Sequence, residues 1–143
     1  MHLDKFTDYG LRILMTLAVR APDRVSVATM AKLHGVSEHH LSKIATELVR
    51  FGHCKSERGR GGGLFLAGPP DSIVIGRVVR DLKRDTPMAE CFGLNNTCCI
   101  VPGCGLREPL KVAEEAFFSA LDQYTLQGVI MRRDVLSRIL SEA

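Results

Sequence analysis

The sequence predicts a mainly α-helical chain with a small β-hairpin wing: a winged helix-turn-helix followed by a long dimerisation helix. Three observations predict it. Two short helical patterns meet at a turn containing Gly35. The run R-G-R-G-G-G follows them at residues 58–63. A long apolar stripe then starts just after Pro109.

At 143 residues the chain can bury a real core but is short for two large domains. Hydrophobic content of 45% and charged content of 24% are ordinary for a soluble globular protein. The formal net charge is +3, which permits nucleic-acid binding without demanding it. Placement of the charges therefore decides, and Lys and Arg outnumber Asp and Glu between residues 38 and 84. The opening M-H-L-D-K-F-T-D-Y-G has no basic segment followed by an apolar run, so no signal peptide is expected. No apolar run reaches membrane-spanning length, so a cytoplasmic protein with no membrane partner is expected. The division expected is a DNA-binding domain at 1–86, a cysteine loop at 87–107, and a dimerisation helix and tail at 108–143. No internal repeat or low-complexity tract interrupts it.

Thr7 is placed to cap a first helix reaching residue 20, with Leu11, Leu14, Met15 and Ala18 on one stripe. Ala21-Pro22-Asp23 stops it. Ser26 can cap a second helix, 27–34, with Met30, Ala31 and Leu33 inward. Gly35 suits the positive φ that ends a helix. Ser37 can cap a third helix, 38–51, buried through Leu41, Ile44, Ala45 and Leu48. Two helices joined by a short glycine-containing turn make a helix-turn-helix pattern. A strand, a glycine-rich turn and a second strand follow. Then come a helix at about 75–84, burying Val78, Val79 and Leu82, and a break at Asp85-Thr86-Pro87. A long helix is expected at about 108–126, with Pro109 in its first turn, where a missing N–H costs nothing. Its stripe of Val112, Ala113, Ala116, Phe117, Ala120, Leu121 and Tyr124 calls for a partner, which implies a homodimer. A tail helix at 134–140 closes the chain.

The outer face of the third helix suits the major groove. Short polar and basic groups near its N-terminus come closest to base edges. The candidates are Ser37, His39, His40, Ser42 and Lys43, with Arg50 further along. Arg58 and Arg60, at the tip of the hairpin, suit a narrow minor groove or a pair of phosphates. The expected ligand is double-stranded DNA.

The chemistry concentrates at residues 90–107, E-C-F-G-L-N-N-T-C-C-I-V-P-G-C-G-L-R. This stretch holds Cys91, Cys98, Cys99 and Cys104, four of the five cysteines. In a reducing compartment such a cluster reads as metal or redox ligands rather than a disulfide framework. The gaps are too wide for the short C-x-x-C knuckles of structural zinc. They favour a loop wrapped around an iron–sulfur cluster, held by soft thiolates, over zinc or uncommitted thiols. Phe92, Leu94, Ile100, Val101 and Leu106 could give it a dry shell. Cys54 falls where the wing's first strand would bury an apolar residue, and it reads as a core thiol.

The chain resembles the winged-helix repressors that include IscR, NsrR and RirA. The resemblance spans nearly all of it. It rests on F-T-D-Y-G-L-R (6–12), V-S-E-H-H-L-S-K-I (36–44), R-G-R-G-G-G-L (58–64) and E-C-F…C…C-G-L (90–106). It implies a dimer on a palindromic operator, with DNA affinity controlled by a cluster on three loop cysteines, a [4Fe–4S] cluster on this reading. The family loop reads C-P-I-x-P-x-C where this chain has C-C-I-V-P-G-C. That alignment makes Cys91, Cys98 and Cys104 the ligands and puts Cys99 in a proline position, so the choice between Cys98 and Cys99 stays open. Arg107 stands where IscR-like members have a histidine ligand. NsrR-like members carry T-D-Y, here Thr7-Asp8-Tyr9, so the resemblance implies Asp8 of the partner subunit as fourth ligand and nitric oxide as signal. An iron-responsive repressor of the RirA kind is the nearest alternative. A zinc-stabilised DNA-binding protein without sensing is another. No substrate-site constellation points to an enzyme.

Overall fold

The computed structural model describes residues 3–83 and 87–141. The expected break at Asp85-Thr86 and the end of the helix at Arg84 lie outside them. The architecture is a helical body built on α1 (Lys5–Arg20), which carries a two-stranded wing, a cysteine loop and a long helix.

Helix α1 is capped by Asp4, not Thr7. The Asp4 carboxylate accepts the Thr7 backbone N–H at 2.7 Å. Asp is the stronger cap and its charge also suits the helix N-terminus. Thr7 thereby becomes a buried first-turn residue. Ser26 and Ser37 do cap α2 (Val27–His34) and α3 (Glu38–Arg50), through the N–H groups of Thr29 and His40. Gly35 ends α2 at φ 64°, a left-handed conformation in which other side chains are strained.

The core lies where α1, α3 and α4 (Ile75–Leu82) converge. Ile13, Leu14 and Leu17 meet Leu41, Ile44 and Leu48, with Val78, Val79 and Leu82 beneath. Each such fully buried side chain contributes about 1.5–3 kcal/mol from burial. Gly10 sits where α1 crosses α4, and a side chain there would run into Leu82.

Strand β1 (Cys54–Glu57) pairs antiparallel with β2 (Gly63–Leu66), register Cys54↔Leu66 to Glu57↔Gly63. Val25, just before α2, bridges to Leu64 through two backbone hydrogen bonds of 2.9 and 3.0 Å. A Cβ on Gly63 would press on the Val25 backbone, so the close approach requires glycine there.

The long helix α5 (Arg107–Leu121) is shorter than its apolar pattern suggests. Thr125 caps a new helix, α6 (Leu126–Val129), by accepting the Gly128 N–H. The Tyr124 carbonyl accepts the Ile75 N–H at 2.9 Å, and Val74 bridges to Thr125. These bonds turn the chain back onto α4, so Leu126 and Ile130 enter the core. Helix α7 (Arg133–Ser141) then packs on α1, where Arg20 donates to the Leu140 carbonyl. The C-terminal elements thus complete the core of the N-terminal half.

The expected stripe on α5 divides. Phe117, Phe118 and Leu121 pack against the body. Val112, Ala113, Ala116, Ala120 and Tyr124 are exposed. Helix α5 is fastened to α4 by Arg80, whose two Nη atoms donate to Asp122 at 2.6 Å each, and by the Lys83–Glu114 pair.

Candidate nucleic-acid interface and cysteine loop

The outer face of α3 presents His39, Ser42, Lys43 and Thr46 to solvent. Ser37 caps the helix while staying exposed itself. His40 is placed differently from the expectation. Its ring stands edge-on to Phe6 and Tyr9 of α1, with centroids 6.2 and 6.1 Å away, so it is half-buried between the two helices. The sequence reading put His39 and His40 together on the outer face, but adjacent residues diverge around a helix, and His40 turns toward the two aromatic rings on α1. Arg50 is held at the far end of α3 by Glu47 at 2.5 Å and lies over the Phe51 ring.

Arg58 and Arg60 flank Gly59 at the wing tip. Both are fully available, with no ion pair among the described residues. The base of the wing is tied to the body by a contact that the sequence did not reveal. Buried His53, at the junction of α3 and β1, bonds the Asp81 carboxylate of α4 at 2.8 Å. Cys54 follows it into the core, and burial pushes its thiol up to about 12. On the opposite side, half-buried His34 bonds the Thr16 hydroxyl at 3.0 Å. Because that hydroxyl donates to the Arg12 carbonyl, it accepts from His34, which fixes the proton on Nε2. Burial, aided by the Arg12 charge, lowers the His34 pKa and keeps the ring neutral near pH 7.

The cysteine loop is held at its neck. Glu90 Oε1 accepts both the backbone N–H and the hydroxyl of Thr97, at 3.0 and 2.5 Å. Those two bonds hold the Glu90 carboxyl below its usual range. Asn96 accepts the Cys98 N–H at 3.0 Å, and short 3-10 turns at Glu90–Phe92 and Val101–Gly103 carry Cys91 and precede Cys104. Cys91, Cys98 and Cys104 are half-buried, Cys99 is exposed, and all are free thiols. Among the described residues no three His, Cys, Asp or Glu side chains are grouped to hold a metal ion. The donor chemistry nevertheless fits a soft metal centre, since four uncommitted thiols share one irregular loop. A metal there would require the loop to draw them together, the usual coupling of metal and local folding. The expected dry shell does not form within the chain. Leu94, Ile100 and Leu106 are exposed, while Phe92 lies beneath the Arg107 guanidinium. Asp8 sits on the surface of α1, paired with Arg12 at 2.7 Å.

Residues 3–132 match the Rrf2 family, described as "Iron-dependent Transcriptional regulator". This chain belongs to the Rrf2 family. It is 40% identical over 143 residues to the HTH-type transcriptional regulator NsrR of Bacillus licheniformis, covering 99% of this chain and 100% of that one. It is 41% identical to the regulator of the same name from Geobacillus kaustophilus, covering 99% and 98%. Among solved structures it resembles CymR (YrzC), the global cysteine regulator of B. subtilis. The TM-score is 0.71 and the identity 26%, over 92% of this chain and 98% of that one. T. potens IscR shares the fold at TM-score 0.73 and 22% identity, over 92% and 88%. The chain is therefore a transcriptional regulator and not an enzyme. Among the described residues no helix is long and apolar enough to cross a membrane.

Proposed function

We propose that this Rrf2 protein is a cytoplasmic, homodimeric repressor that binds a palindromic double-stranded operator, with affinity set by an iron–sulfur cluster that reacts with nitric oxide. The carrying observation is the join between loop and helix. Four free thiols lie on a loop that runs straight into α5, whose alanine face is uncovered. The 38–41% identity to relatives named NsrR supports the nitric-oxide branch.

In this reading Cys91, Cys98 and Cys104 would hold the cluster, of the [4Fe–4S] type, with Asp8 of the partner subunit as fourth ligand. When bound, the group would supply iron that nitric oxide can bind. Ser37, His39, Ser42 and Lys43 face the major groove, and Arg58 and Arg60 reach the flanking minor grooves. Arg50 lies further along the same helix. His40 contributes by fixing α3 against α1. With the group bound, the three thiols and Asp8 of the partner subunit would tie the loop across the dimer and so set the angle between the two reading heads. Half-site spacing is strict, so a small rotation weakens binding sharply.

The test uses protein prepared without oxygen and titrated with nitric oxide, followed by visible spectra and by retention of duplex DNA. Sulfur-to-iron absorption that bleaches within a few equivalents, together with loss of DNA binding, is the expected result. Asp8→Ala should alter the bleaching or the stability of the spectrum. A colourless protein containing zinc or no metal would remove the sensor reading and leave a DNA-binding dimer. The iron-dependent family description favours a second reading, an iron-responsive repressor. A cluster indifferent to nitric oxide but lost to chelators would select it.

A further inference from the structure

The base of the wing packs on the body through buried Cys54 and Leu64. Toward the tip the hairpin borders an open groove lined by Arg20, Pro22, Asp23, Arg24, Gly61 and Phe65. Among the described residues, two contacts tie the body to the outer half of the hairpin. One is the backbone bridge from Val25 to Leu64. The other is the side chain of Arg24, which bonds the Glu57 carboxylate at 2.5 Å while its guanidinium lies 5.5 Å from the centre of the Phe65 ring. Because β2 pairs with Val25 and β1 lies beyond β2, Arg24 reaches across one strand to grip the last residue of the other. Glu57 directly precedes Arg58, so whatever fixes Glu57 fixes where the tip arginines begin.

We propose that Arg24 is a positioning residue for DNA binding: it straps Glu57 to the body and so sets where Arg58 and Arg60 meet the duplex. This rests on the DNA-binding reading above. The strap also neutralises a carboxylate that would otherwise face phosphates beside the two arginines. Half-exposed ion pairs of this kind add little to overall stability, so its effect falls on wing placement rather than on folding.

The test is a double-mutant cycle with Arg24→Ala and Glu57→Ala, which isolates the pairwise coupling. The probe is a fluorescent duplex recovered by the wild-type protein from a random-sequence pool. Arg24→Ala should weaken binding about tenfold in the wild-type background, the scale of one lost charged contact, and less than about twofold in the Glu57→Ala background. Trimming the duplex to the base pairs under α3 should erase the difference, because the wing then has nothing to meet. All variants should melt within about 4 °C of wild type. An equal loss in both backgrounds would make Arg24 a direct phosphate contact and overturn the strap. So would no loss in the wild-type background, or a loss that survives trimming. Failure of the wild-type protein to retain any duplex would instead overturn the DNA-binding reading, and the strap would fall with it.

Discussion

Cysteines in this chain divide by environment, and the division has chemical consequences. Cys54 is buried between the wing and the body, and its thiol is pushed up to about 12 from an ordinary 9.0. The loop thiols are half-buried or exposed. Thiolate, not thiol, attacks alkylating reagents, so Cys54 should stay inert in the folded protein. Metal-free, reduced protein at pH 8 should consume reagent rapidly at Cys91, Cys98, Cys99 and Cys104, and at Cys54 only after denaturant is added. Mass mapping of rapidly labelled Cys54 in native protein would contradict its burial. The same shift ties stability to alkaline pH. The folded pKa is raised, so the unfolded chain releases its proton first. The stabilisation is whole below about pH 9 and fades as pH climbs toward 12. His34 acts at the acid end. Its lowered pKa means the unfolded state takes up the proton more readily, so stability falls as pH drops below about 6.5.

Helix ends carry the next level of control. Ser37 accepts the His40 N–H at 3.2 Å and starts the helix proposed to read DNA. Ser37→Ala should cost about 1 kcal/mol, read as a drop of roughly 3–5 °C in thermal unfolding. Ser37→Asp should cap equally well and melt near wild type, yet bind DNA about tenfold more weakly, because its charge opposes phosphate. Undiminished binding by the Asp variant would place Ser37 away from the phosphate backbone. Local signals of this kind were legible in the sequence. Ser26, Ser37 and Gly35 each marked a boundary, and the glycine run marked the hairpin. Competition between nearby candidates was harder to read. Asp4 outranks Thr7 as a cap, and Thr125 restarts a helix inside what looked like one continuous stripe. Contacts between distant segments were not legible at all. Val25 joining Leu64, His53 meeting Asp81 and His40 turning between Phe6 and Tyr9 all depend on packing. The cysteine spacing pointed to the candidate site, but the separation of the thiols in the loop reflects backbone geometry that spacing does not encode.

For the whole molecule, the question is how the loop and the DNA-facing surface act as one device. Helix α5 is tied to α4. Arg80 grips Asp122, Lys83 pairs with Glu114, and both cations lie over the Phe118 ring, at 4.7 and 5.3 Å. One residue along α4, Asp81 holds His53 at the join of α3 and the wing. Helix α4 thus links α5 to the base of the reading head. That leaves the alanine face of α5 as the place where two such bodies would meet. Alanines at 113, 116 and 120 allow helices to approach closely, and Val112 and Tyr124 add apolar area at each end. Ala116→Glu tests this directly. Glu keeps helix propensity high, so the fold should survive, but a carboxylate at the centre of the face cannot be desolvated cheaply. Sedimentation should show a monomer. Affinity for a palindromic duplex should fall about a hundredfold or more, and affinity for an isolated half-site should stay near that of wild type, because only the second head is lost. If Ala116→Glu remained a dimer with full operator affinity, the face would not be the interface, and the loop would have to act on DNA within a single chain.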